Sequence, residues 1–239
     1  MIRYAHSDEA WRNVKGHIAS LIEKVGARKV LEVGAGANPL FDQGFVGHHR
    51  LEYTLLDISK EELAKAPAGY KTVVADISAR DLSIRSQYDF VFSRMLAEHV
   101  QDGRRFHSNI LGLLVPGGTA FHFFPTLYSL PFVINRLVPE RLSNAILQLL
   151  QTGRQKEGNL AKFPAYYSWC RGPTKGQVAR IELLGYHVDD YIGFFGNAGY
   201  YQKIPLATRA NRSIASFLLK HPDPYFCAFA YLTLSRLSK

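Results

Sequence analysis

Five short apolar runs punctuate the first half of the chain: Lys29–Val33, Tyr53–Leu56, Lys71–Ala75, Tyr88–Ser93 and Thr119–Phe124. They lack the in/out alternation of half-exposed strands, and helix-length sequence lies between them, as expected of parallel strands covered on both faces. Ahead of them, Ser7–Lys24 puts Val14, Ile18, Leu21 and Ile22 on one side of an amphipathic helix, with Ser7 or Asp8 as its N-cap. After Pro125 the pattern turns aromatic, basic and rich in Pro and Gly. Helices are expected at Leu137–Gln151 and Thr174–Leu184, then two more strands at Tyr186–Phe195 and Tyr225–Leu234. The pattern predicts an α/β fold, a seven-stranded, mostly parallel sheet with helices on both faces. Residues 1–124 form its core with a lead-in helix, 125–173 an inserted lid too long for an ordinary loop, and 174–239 the helix and strands that complete the sheet.

Composition narrows the class without changing this outline. With 239 residues, 47% hydrophobic and 21% charged, the chain suits one globular domain and excludes collagen-like, coiled-coil and disordered sequences. Two cysteines, Cys170 and Cys227, cannot build a disulfide framework, and Met1–Ser20 has no apolar signal core, so a reducing cytoplasm is the expected compartment. The most apolar window, Phe121–Val138, is broken by His122, Pro125, Pro131, Asn135 and Arg136, short of the roughly 20 apolar residues of a spanning helix. Residues 1–120 carry 15 Lys/Arg against 14 Asp/Glu and residues 121–239 carry 14 against 6, so eight of the nine excess positive charges lie in the second half. Such an asymmetry attracts anionic substrates or surfaces, and it also keeps a protein soluble.

The sharpest chemical signal is Val30-Leu-Glu-Val-Gly-Ala-Gly-Ala-Asn-Pro39, a strand running into a glycine turn ahead of a short helix at Leu40–Val46, with Pro39 suited to a first helical turn. Gly34 and Gly36 let backbone approach a ligand closely. Asp57, closing the next strand, can accept hydrogen bonds from both ribose hydroxyls of a nucleoside. Asp57 and Asp76 each precede a serine by two residues, which also suits a local cap. A dinucleotide fingerprint would need glycine at position 39, where Pro39 stands, so nicotinamide binding is disfavoured.

The E-x-G-x-G of Glu32–Gly36 with Asp57 resembles the class I S-adenosylmethionine (SAM) dependent methyltransferases. Val74-Ala-Asp76-Ile77, Tyr88–Val100 and Leu114-Val-Pro-Gly-Gly118 are similar to that family's later motifs, so the resemblance covers about residues 28–124. It implies a Rossmann-like fold, SAM as cofactor, and a cofactor set of Glu32, Gly34, Ala35, Gly36, Asp57, Ile58, Asp76, Ile77 and Ser93. In the family, the acid at Asp76 contacts the adenine amine and the next apolar residue packs on its ring. Glu32 keeps two readings, contact with the methionine end of SAM or an internal tether for turn amides. Asn38 departs from the third glycine many members carry. Some members bind a metal through E-x-x-E-H here, but Met95 replaces the first Glu, so no metal is expected.

Methyl transfer from a sulfonium is an in-line displacement, needing a positioned nucleophile and, for a hydroxyl, a base. His99, after the fourth strand, is the candidate base, and His122, at the end of the fifth, a second one; both also suit packing roles. Tyr128, Tyr166, Tyr167, Trp169 and Arg171 are the candidate substrate wall, with Arg171 available to a phosphate or carboxylate; Gly193–Gly196 and Tyr200-Tyr201 either join it or only end a strand. The expected activity is methylation, at oxygen, of a small or amphiphilic, anionic acceptor, either soluble or lipid-linked. A lipid-linked acceptor would bring the helix near Leu137–Leu150 to an acidic membrane. Dispersed basic residues disfavour nucleic acid, and the alternatives are an RNA methyltransferase or a SAM-binding scaffold or sensor without catalysis.

Overall fold

Residues 1–82, 84, 87–127, 164–197 and 205–238 are described by the computed structural model. The strands are β1 (Ile2–His6), β2 (Lys29–Val33), β3 (Glu52–Asp57), β4 (Lys71–Val74), β5 (Tyr88–Arg94), β6 (Leu114–Pro125), β7 (Tyr186–Phe195) and β8 (Phe229–Arg236). They form one sheet in the order β1-β7-β8-β6-β5-β2-β3-β4. All neighbours pair in parallel except β8, which runs antiparallel to both β6 and β7. The helices are α1 (Ser7–Lys24), α2 (Gln43–His48), α3 (Lys60–Leu63), α4 (Gly103–Leu113), α5 (Lys175–Glu182) and α6 (Pro205–Lys220), with 3₁₀ turns at Ala97–His99 and Pro224–Phe226.

The sheet has eight strands where the apolar pattern predicts seven. Ile2–His6 pairs in parallel with the edge of β7 and is only half covered, so its sequence carries no buried-run signature. Consequently the N-cap of α1 is His6, with Ser7 already inside the helix and no side-chain cap bond. The short helix expected at Leu40–Val46 begins later, at Gln43 with Asp42 Oδ1 accepting from Phe45 N, so Pro39 lies in the loop. Thr174 caps α5 by accepting from Gln177 N. The last strand starts at Phe229, because Pro224 and the Asp223 cap hold Tyr225 in a 3₁₀ turn. Helix α6 was not foreseen. The expected Leu137–Gln151 helix, most of the lid and Tyr200-Tyr201 lie outside the described residues.

Aromatic side chains fill the sheet faces: Phe90, Phe92, Phe121, Phe123 and Phe124 are essentially inaccessible, each worth about 1.5–3 kcal/mol of transfer free energy. Gly193-Phe-Phe-Gly196 ends β7 within this packing, Phe195 stacking on Tyr4 at 5.2 Å. The connections reverse direction between β2 and β5: the chain runs from β2 outward to β4, then returns to β5 and β6 on the other side. Such a switch point leaves a crevice beyond the carboxyl ends of the strands, which is where open α/β sheets bind ligands. Val33, Asp57, Val74, Arg94 and Pro125 end their strands on that edge. Among the described residues no helix is long and apolar enough to cross a membrane.

Candidate functional site

At the switch point β2 runs directly into the glycine turn. Gly34 and Gly36 have φ of +76° and +52°, a region that excludes most side chains. Gly34 N donates to Leu56 O at 2.7 Å, fastening the turn to the end of β3. A Cβ on Gly34 would lie 2.9 Å from Leu96 Cδ1, so glycine here also makes room for the turn after β5. Asp57 joins the two signature elements: Oδ2 accepts from Gly36 N and Oδ1 from Ser59 N, both at 2.9 Å. A carboxylate offers about four lone-pair positions, so two remain for ligand hydroxyls. Beside it Ile58 is 64% exposed, bare apolar surface next to a hydrogen-bonding carboxylate. This acceptor and surface set fits a nucleoside.

Asp76 is exposed, and its Oδ1 accepts from Ser78 N at 2.8 Å and Ser78 Oγ at 2.7 Å, the local turn its sequence allowed. Ile77 is buried, its carbonyl held by Asn109 Nδ2 at 2.7 Å, and Ala35 is also buried. Glu32 is 2% exposed, and its carboxylate is taken up by the protein. Oε2 accepts from Tyr53 OH at 2.6 Å and from Leu40 N at 2.9 Å, while Oε1 pairs with Arg94 at 3.0 Å. Of its two readings, the contacts made are those of the tether. The Tyr53 hydroxyl is pushed far above its ordinary pKa by burial and by the Glu32 charge. Arg94 is a site residue that sequence reasoning missed; its signal is a cation one position beyond the Ser93 that pairs with Val33.

Ser93 and His122 do not face the crevice. They are register partners on β5 and β6, both fully buried, with Ser93 Oγ 2.8 Å from His122 Nδ1. Burial, then the neighbouring His107, hold His122 well below its ordinary pKa. It is a neutral core histidine, which corrects its assignment as a base. His99 sits on the 3₁₀ turn after β5, its side chain 34% exposed. Its Nδ1 lies 3.1 Å from Pro164 O; a carbonyl only accepts, so Nδ1 carries the proton and Nε2 the lone pair. Nε2 is 3.7 Å from Glu98 Oε1. Glu98 is 3% exposed, and burial raises its carboxyl to about 8.

Over this turn lies the described end of the insertion. Tyr166 N and Tyr167 N donate to Glu98 O at 2.7 and 3.0 Å. Tyr167 is buried at a positive φ of 52°, and Trp169, half-buried, packs near His107. Arg171 donates to the carbonyls of Tyr167 and Cys170 at 2.7 and 3.1 Å. Tyr167 and Arg171 thus build the turn rather than line a cleft, and Tyr166, 40% exposed, is the ring left at the surface. Tyr128 lies outside the described residues.

Residues 31–122 match the family model described as a methyltransferase domain. No curated protein sequence matches the chain. Among solved structures it is similar to a SAM-dependent methyltransferase from Clostridium acetobutylicum, with a TM-score of 0.56 at 11% identity over 95% of this chain and 92% of that one. It is also similar to a putative sarcosine dimethylglycine methyltransferase from Galdieria sulphuraria, with a TM-score of 0.55 at 14% identity, covering 97% and 88%. A third is the phosphoethanolamine N-methyltransferase 2 of Haemonchus contortus, with a TM-score of 0.51 at 16% identity, covering 93% of this chain and 52% of that one. At these identities the likeness is one of fold.

Proposed function

From the premise that the chain carries a class I SAM-dependent methyltransferase domain over residues 31–122, we propose that it methylates a small or amphiphilic, anionic acceptor at oxygen. The observation that carries this reading is the Asp57 carboxylate, which is bonded to the glycine turn at Gly36 N and keeps acceptor capacity for a ribose. Gly34, Gly36, Asp57 and Ile58 would hold the nucleoside, with Asp76 and Ile77 at the adenine end. Glu32 and Arg94 fix the loop that follows the turn. When bound, SAM supplies an electrophilic methyl group.

The protein's own work is positioning plus one proton transfer. An acceptor hydroxyl held near the turn at Ala97–His99 would give its proton to His99 Nε2, the nitrogen left basic by the contact of Nδ1 with Pro164 O. Glu98, neutral below about pH 8, adds no negative charge to this turn. The described end of the insertion, bonded to Glu98 O through Tyr166 N and Tyr167 N, covers this side of the site and supports a lid role for residues 125–173.

Calorimetric titration with SAM and with its demethylated product, for the native chain and for Asp57→Ala, tests the cofactor half. Binding by the native chain, weakened about 100-fold in the variant by loss of two charge-assisted hydrogen bonds, is expected. A folded native chain that binds neither compound would end the reading. A labelled-methyl screen of candidate acceptors tests the rest: binding without turnover on any acceptor would favour a scaffold or sensor. His99→Ala should lower kcat and leave SAM affinity unchanged; unaltered turnover would remove the base and with it the preference for oxygen.

A further inference from the structure

Among the described residues, helix α6 has an exposed outer face. Its inner side is anchored: Ala215 is 2% exposed against Phe195 and Cys227, Leu218 and Leu219 pack beside it, and Asn211 Oδ1 accepts from Asn197 N at 2.8 Å. On the opposite side Leu206, Ile214 and Phe217 are 79%, 59% and 61% exposed. Positions 206, 210, 214 and 217 follow the three-and-four spacing of one helical face, so these side chains form a stripe. His221 prolongs it, its ring 4.9 Å from that of Phe217. Arg209, Arg212 and Lys220 run along the flank of the stripe, all exposed, and the helix contains no Asp or Glu. Between Arg212, Ser213, Ser216, Phe217 and Lys220 lies an open recess of about 430 Å³.

We propose that α6 docks this protein on an anionic lipid bilayer. The apolar stripe would enter the boundary between headgroups and acyl chains, and the cations with Ser213 and Ser216 would meet lipid phosphate in the recess. Charge complementarity selects this occupant. A second copy would bring the same face against itself, setting uncompensated cations against cations. The overall charge agrees, because eight of the nine excess positive charges fall in residues 121–239. Placement agrees too: β7 is parallel to β1 and runs in the same sense as β6, since both oppose β8. Its carboxyl end, where Gly196 and Asn197 contact α6, therefore lies on the sheet edge that carries Gly34 and Asp57. Docking along α6 would lay the ligand edge beside the interface. Delivery of an amphiphilic acceptor there rests on the proposed function; the docking itself does not.

Sedimentation of the full chain with vesicles tests docking without any activity readout. Vesicles of phosphatidylcholine alone are compared with vesicles containing about 30 mol% phosphatidylglycerol, at low and high salt. Preferential binding to the anionic vesicles, weakened by salt, is expected. Arg209→Gln, Arg212→Gln and Lys220→Gln should each cost about fivefold in partitioning, and the double variant Ile214→Ser, Phe217→Ser should abolish it while far-UV circular dichroism and SAM titration stay unchanged. Equal binding to both vesicle types, no binding to either at low salt, or native partitioning by these variants would overturn the proposal. So would salt-sensitive capture on polyglutamate without vesicle binding, which would point to an acidic protein instead.

Discussion

Replacing Glu32 with Gln separates a structural tether from a cofactor contact. The carboxylate is 2% exposed and serves three donors: Tyr53 OH at 2.6 Å, Leu40 N at 2.9 Å and Arg94 at 3.0 Å. Breaking a fully buried ion pair costs about 3–5 kcal/mol, and each hydrogen bond to a charged group contributes about 1.5–3 kcal/mol. The Arg94 side chain is 29% exposed, so solvent screens part of its loss. The amide oxygen can keep both donors of Oε2 but loses the charge and the Arg94 pair, so Glu32→Gln should cost about 2–3 kcal/mol. Urea unfolding followed by far-UV circular dichroism measures this as a lower midpoint at unchanged slope. Arg94→Met should cost about 2 kcal/mol, and the double variant should fall short of the sum by about 1 kcal/mol or more. Additive losses, or a Glu32→Gln midpoint equal to the native one, would refute the tether. A native midpoint with lost SAM binding would instead assign Glu32 to the cofactor.

Glu98 makes stability fall with rising pH. Its folded pKa, about 8, lies above that of the unfolded chain, so both states are protonated in acid; between about pH 4.5 and 8 the unfolded state ionises first and is favoured. Glu98→Gln should flatten that part of the profile and raise the urea midpoint at pH 8 relative to native, and an unchanged profile would count against the buried carboxyl. His107 acts at the other end: its folded pKa, lowered by burial to about 3, lies below its ordinary value, so its contribution is present above pH 6.5 and lost as pH falls toward 3. His107→Gln should remove part of that acid lability, measured by the same titration of midpoint against pH. Gly34→Ala, at φ +76° with a new Cβ 2.9 Å from Leu96 Cδ1, should destabilise by about 1–3 kcal/mol and weaken SAM binding in calorimetry.

Much of the fold was legible because parallel strands buried on both faces must be apolar throughout, and five apolar runs became β2 to β6 with ends shifted by a few residues; β4, at the far sheet edge and largely exposed, is not covered on both faces as expected and was legible only through its β-branched Thr72-Val-Val74. Strand β1 was not legible: at the sheet edge its residues are half covered, so nothing demands an apolar run. In the site, the glycine turn and Asp57 carry their chemistry in residue type and were found. The Ser93–His122 pair depends on register; its trace in sequence is one polar residue at the same level in two adjacent apolar strands. Arg94 was missed for the same reason, since a charge near a strand end gains meaning only when its neighbour is known. Arg171 misled because a guanidinium that could hold an anion serves equally well to hold two carbonyls.

The carboxylates on the two sides of the site differ in how well they are satisfied, although Arg94 Nε, beside Glu32, is also buried without a hydrogen-bond partner among the described residues. Beside β2 and β3 every oxygen of Glu32 and Asp57 has a donor, so this side is rigid before any ligand arrives. Around the turn after β5, Glu98 Oε2 and His107 Nδ1 are buried without hydrogen-bond partners among the described residues. Each such orphan costs about 1–3 kcal/mol. Glu98 bears this cost next to the one candidate base with an exposed side chain, under the described end of the insertion. A cost of that kind persists where surrounding structure enforces it, and such places cluster at functional sites. Cofactor affinity should therefore follow substitutions on the β2–β3 side, and acceptor turnover should follow those at Glu98, His99 and Tyr166.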